Sequence, residues 1–97
     1  MFKKAFNQWY TQNMLTLASR GVKAGKVQHQ AEDALYCTFE SAHQAAQFRL
    51  TETGQITIYF IDLTTGEVFA SNTETLQETG ELAPVLNALI EGISKEK

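Results

Sequence analysis

The side chains best suited to covalent chemistry are Cys37, the chain's one cysteine, and His43, six positions further on. A thiol beside an imidazole can act as an activated nucleophile, because the base takes the proton and the thiolate attacks. The stretch "ALYCTFE", however, alternates, with Leu35, Cys37 and Phe39 on one side and Tyr36, Thr38 and Glu40 on the other. That phase sends the sulfur into the core, where cysteine behaves as a small hydrophobe. His29, Cys37 and His43 lie eight and six positions apart, a spacing that fits no metal-site pattern. Gly21 and Gly25 follow no apolar strand, so no phosphate loop is expected. The sequence therefore predicts a protein that binds and does not catalyse, with no cofactor and no metal.

Charge is the stronger signal. The net charge of −3 conceals an asymmetry. Before Glu32 there is no acid, only Lys3, Lys4, Arg20, Lys23 and Lys26. From Glu32 to Glu91 stand ten acids (Glu32, Asp33, Glu40, Glu52, Asp62, Glu67, Glu74, Glu78, Glu81, Glu91) and a single base among Lys and Arg, Arg49. Such a distribution serves ordinary solubility and helix–sheet attraction, or it forms an acidic face that steers a basic partner. Basic residues interleaved with aromatics occur only near the N-terminus, where the aromatics are needed for a core, so direct nucleic-acid binding is not expected. Lys3 and Lys4 alone are a weak membrane anchor, and no apolar run has spanning length, so no membrane contact is expected either.

The elements that must hold these residues are legible from period. Ninety-seven residues with 43% hydrophobic content predict one domain, residues 1–97. A lone cysteine and an N-terminus interrupted by Asn7, Gln8, Gln12 and Asn13 predict a cytoplasmic protein without a signal peptide. Phe2, Phe6, Trp9, Tyr10, Met14 and Leu17 recur at spacings of three and four, which predicts a helix over 2–19 stopped by Gly21. Asn13 falls on the same stripe, as a polar edge residue or a hydrogen-bonded one. "GVKAGKVQHQAED" reads as a loop, although Val27, His29 and Ala31 alternate and leave a short edge strand open.

Beyond Ala34 the period becomes two, in "ALYCTFE", "AQFRLTE", "ITIYFID" and "EVFAS". The short links, one containing Gly54, predict an antiparallel meander. Leu82, Val85, Leu86, Leu89, Ile90 and Ile93 form the stripe of a closing helix, with Pro84 in its first turn and "SKEK" fraying at its end. The expected fold is a two-layer α+β domain: N-terminal helix, four-stranded antiparallel β-meander, C-terminal helix. Both helices would cover the side of Leu35, Phe39, Phe48, Leu50, Ile56, Ile58 and Phe60.

An antiparallel sheet can leave its other side to water. That side would carry Tyr36, Thr38, Glu40, Arg49, Thr51, Thr57, Tyr59 and Ile61. Tyrosine and arginine supply contact area with a polar handle and are enriched at binding hot spots, while threonine and tyrosine are also good strand formers on a solvated surface. The candidate partner-binding residues are Tyr36, Glu40, Arg49, Glu52, Tyr59 and Glu67. Asp62 is assigned to the turn "DLTTGE", where its carboxylate can accept from the Thr64 or Thr65 amide and Gly66 can turn the chain back.

"FES", then "AQFRL", a Gly54 turn and "IDLTTGEVF" together resemble the TriTu-type immunity proteins of bacterial polymorphic toxin and contact-dependent inhibition systems. Trp9, Phe39-Glu40-Ser41, Leu50, Gly54 and Asp62 to Glu67 carry the likeness. Thr51 stands where that family's strand tryptophan is expected, and Asn72-Thr73 where a histidine pair is expected. The resemblance implies a cytoplasmic antitoxin that binds and neutralises one cognate toxin domain. An acidic sheet domain suits a basic, phosphate-binding active site such as a nuclease's, since complementary charge speeds association. The alternative is a small regulatory or assembly adaptor, or a homodimer, acting through the open sheet.

Overall fold

The computed structural model describes residues 1–31 and 33–94. The order of elements is α1 (Phe2–Ser19), β1 (Lys23–Ala24), β2 (Gln28–Ala31), β3 (Ala34–Glu40), β4 (Gln44–Thr51), β5 (Gln55–Asp62), β6 (Glu67–Thr75), a 3₁₀ turn (Thr79–Glu81) and α2 (Leu82–Ser94). The fold is α+β, with one antiparallel sheet ordered β1-β3-β4-β5-β6 and β2 also paired to β3. No helix among the described residues is long and apolar enough to cross a membrane. The fraying expected of "SKEK" falls, beyond Ser94, outside the described residues.

The sheet has more than the four strands expected. Lys23 and Ala24 pair with Glu40 and Phe39, the chain kinks at Gly25, and Gln28 resumes opposite Tyr36. The Gly25 amide still donates to the Thr38 carbonyl at 2.7 Å across the kink. Without this segment the outer edge of β3 would have bare backbone groups, which must find partners. The edge strand that the alternation of Val27, His29 and Ala31 left open is β2, whereas β1 has only main-chain pairing to mark it.

On the helix-facing side the register aligns Leu35–Leu50–Ile56, Cys37–Phe48–Ile58 and Phe39–Ala46–Phe60. Phe2, Phe6, Trp9 and Leu17 of α1 are buried against these rows. Phe6 stacks on Phe48 with centroids 5.4 Å apart, and Trp9 meets Phe39 edge-on at 6.0 Å. Trp9 Nε1–H donates to Asn87 Oδ1 of α2 at 3.2 Å, which ties the two helices together. Met14, expected in this stripe, is 48% exposed. At 3.6 residues per turn it lies about 100° from the centre of the buried line, whereas Asn13 lies near that centre. Asn13 is the hydrogen-bonded residue: its Nδ2 donates to the Trp9 carbonyl at 2.8 Å.

From α2, Leu82, Leu86, Leu89, Ile90 and Ile93 are buried and Val85 is half-buried. The helix is entered through a capping box: Glu81 Oε1 accepts from the Gln77 amide at 2.6 Å and the Glu78 amide at 3.2 Å. At the β4–β5 turn Gly54 has φ +94, and a Cβ there would lie 2.6 Å from the Leu76 carbonyl and 2.8 Å from the Phe2 ring. Only glycine lets the turn, the end of β6 and the start of α1 meet so closely. Thr51, expected on the open side, is buried: its hydroxyl bonds the Thr53 hydroxyl at 2.8 Å and accepts from the Gln55 amide at 3.1 Å. The turn has taken it.

The helices cover β3, β4 and β5 and stop there. The apolar rows continue into β6 as Glu74, Asn72 and Ala70, and all nine residues of that strand are exposed.

Candidate partner-binding surface

On the side away from the helices, Tyr36 pairs with Arg49, and Arg49 with Thr57. Gln47 pairs with Tyr59, which places Tyr59 diagonal to Arg49. Direct and diagonal neighbours of this kind lie about 5 and 7–8 Å apart at Cβ. The sheet thus brings Tyr36, Arg49 and Tyr59 into one cluster. Tyr36 is half-buried, Arg49 exposed and Tyr59 45% exposed. These are large side chains held on three adjacent strands, each paired on both of its sides.

The three candidate acids do not share one place. Glu40 ends β3 opposite Lys23, and Glu67 begins β6 opposite Asp62, so both stand at the same end of the sheet. Three strand spacings, about 14 Å, separate them. Glu52 sits in the β4–β5 turn at the other end, about 25 Å away along an eight-residue strand. Its carboxylate accepts from the N-terminal ammonium of Met1 at 2.9 and 3.0 Å and from the Lys3 amide at 3.2 Å. Those contacts, the ammonium first, hold the Glu52 carboxyl below its ordinary pKa.

Asp62 has the local duty expected of it. Its Oδ1 accepts from the Thr64 amide at 2.8 Å and the Thr65 amide at 3.4 Å, and its carbonyl accepts from the Gly66 amide at 2.6 Å. Gly66 has φ +78. Between Leu50 and Ser94 the chain has Glu52, Asp62, Glu67, Glu74, Glu78, Glu81 and Glu91 and no Lys, Arg or His. Glu52, Asp62, Glu78 and Glu81 serve helix ends and turns, whereas Glu67 and Glu74 on β6 and Glu91 on α2 are exposed acids outside those roles.

Cys37 is fully buried, with its S–H directed at the Gly25 carbonyl 3.5 Å away. Burial pushes its pKa up to about 12, against a smaller lowering by that hydrogen bond. His43 is exposed in the β3–β4 turn. The thiol thus lies in the core and the imidazole in an exposed turn. Among the described residues, no three His, Cys, Asp or Glu side chains converge as a metal site would require.

Sequence reasoning missed one part of the surface. β6 runs to Thr75, four residues beyond "EVFAS", and near its start Leu63, Val68 and Phe69 are 43%, 54% and 56% exposed. The register passes from Phe60–Ala70 to Ile61–Val68, so Phe69 is an extra, unpaired residue whose ring lies 6.3 Å from that of Phe60. The adjacent apolar pair Val68-Phe69, which breaks the alternation, was the available signal of such a bulge. Thr73 and Thr75, with no glycine or proline before Gly80, were the signal that the strand continues.

No family model, no curated protein and no solved structure matches the chain.

Proposed function

We propose that the protein is an immunity protein that binds a cognate toxin domain and blocks it. The observation that supports this most is the cluster of Tyr36, Arg49 and Tyr59 on the uncovered side of the sheet. Two tyrosines flanking an arginine are the composition of a binding hot spot, and their strand placement lowers the ordering cost of engaging a partner. The motif residues Phe39-Glu40-Ser41 and Asp62 to Glu67 add the family likeness. The acid-only stretch from Leu50 to Ser94 adds a field that favours a basic partner, such as a nuclease active site.

Neutralisation follows from occlusion. A toxin that acts on a polyanion presents a basic cleft, and an acidic domain seated on it competes for that charge while its aromatics exclude water. The test is a pulldown of the tagged chain from its native host, followed by co-expression with the captured toxin domain. The wild-type chain should restore growth, and the Tyr36→Ala/Arg49→Ala/Tyr59→Ala variant, folded by circular dichroism, should restore it far less. Loss of about 2 kcal/mol or more is typical for truncating one central hot-spot residue. Full protection by the triple variant would remove this cluster from the interface.

A further inference from the structure

The two edges of the sheet are built differently. On the β3 side the edge is two short pieces, β1 of two residues and β2 of four, with a kink at Gly25, a register shift between His29 and Ala31, and lysines at 23 and 26. Short length, irregularity and lysine are the devices by which proteins keep an edge from pairing with other chains. β6 on the opposite side has nine residues, no proline and no lysine, and beyond Phe69 it pairs regularly with β5 from Ala70 to Thr75. Its outward backbone N–H and C=O groups form a ready template for one more strand.

The side chains state what kind of strand. Glu67 pairs with Asp62 and Glu74 with Ile56, so both glutamates lie on the helix-facing side of β6, with Ala70 and Asn72 between them. A groove of about 250 Å³ opens between β6 and α2, with Asn72 and Glu74 as its β6 wall and Ile58, Phe60, Val85 and Leu89 as its apolar lining. A second copy of the chain is a poor occupant. Its β6 would bring two more glutamates alongside Glu67 and Glu74, with no base between Leu50 and Ser94 to offset them. An added strand with basic side chains at its ends and apolar ones between them meets both features, charge at Glu67 and Glu74 and, past the short side chains of Ala70 and Asn72, the apolar lining of the groove.

We infer that β6 is the docking edge for an extended segment of the partner protein, basic at its ends and apolar between, which pairs with it as an additional strand. This rests on the proposed binding function and adds its mode, main-chain pairing that is separate from the Tyr36, Arg49 and Tyr59 cluster.

The experiment is amide hydrogen exchange of the full chain with a synthetic peptide as long as β6. The peptide has lysines near both ends and leucines between them on one side, with threonines on the other; a control has glutamates for the lysines. Alternate β6 amides should exchange slower by about tenfold or more with the basic peptide at saturation and not with the acidic one. The Glu67→Lys/Glu74→Lys variant should reverse that preference. Equal effects of both peptides, or none, would overturn the inference. Slow β6 exchange without peptide that strengthens with protein concentration would also overturn it, by giving the edge to a second copy. A chain that protects cells from a toxin yet ignores the basic peptide keeps the proposed function and loses this mode.

Discussion

Glu52 Oε1 accepts a hydrogen bond from the backbone amide of Lys3 at 3.2 Å, across 49 positions of sequence. A turn between two strands thereby caps the first helix. Orphan amides and the positive end of the helix dipole both favour a carboxylate there. Because these contacts hold the folded-state pKa of Glu52 below its ordinary value, they stabilise the fold above the ordinary glutamate range, about pH 4.3, and the contribution disappears as pH falls through the lowered folded value. Glu52→Gln should flatten the acid limb of stability against pH while costing only about 0.5 kcal/mol near neutrality, since the site is partly exposed and screened. Urea titrations between pH 2 and 7, at low and high salt, measure this; identical acid limbs for the two proteins would contradict it.

Asp62 and Glu67 face each other in the register yet should behave differently. Asp62→Ala removes the acceptor for the Thr64 amide and should lower stability by about 1 kcal/mol, as loss of a side-chain cap does. Glu67→Lys should leave the denaturation midpoint nearly unchanged. With the captured partner it should slow association and weaken the salt dependence of the rate. Stopped-flow rates across ionic strength read this directly, and equal salt slopes for wild type and Glu67→Lys would assign Glu67 no steering role.

Gly54 and Gly66 both have positive φ, but only Gly54 is also crowded. Gly66→Ala should cost about 1–2 kcal/mol through backbone conformation alone. Gly54→Ala should cost more, because its Cβ meets the Leu76 carbonyl and the Phe2 ring and must push apart β6 and α1. Chemical denaturation ranks the two, and the reverse order would mean that the turn relaxes without disturbing Phe2.

Cys37 should label slowly in the native protein. Its thiol is buried and its pKa is raised to about 12, so little thiolate exists at pH 8 and little of it is accessible. Labelling with an uncharged disulfide reagent should track denaturant-induced unfolding. A fast phase in the absence of denaturant would reopen a chemical role for this residue.

Period alone determined the helix over 2–19, the phase of the strands from Ala34 and the closing helix, because each buries one apolar face and repetition records that face in the residues. The turn at Asp62 to Gly66 was legible for a related reason: its hydrogen bonds close within four residues, so local chemistry dictates them. What required the tertiary structure was every decision made over distance. The edge pieces β1 and β2 are held by main-chain pairing with β3; the alternation of Val27, His29 and Ala31 left the second of them open, and no side-chain pattern marks the first. Glu52 reads as a surface acid until α1 is placed over its turn, and Thr51 reads as an open-face residue until the same turn draws in its hydroxyl. Most of all, the sequence does not say how far two helices reach across a sheet. They cover β3 to β5, and because they are too few to cover one strand more, β6 is left with both its faces and its outer backbone edge exposed.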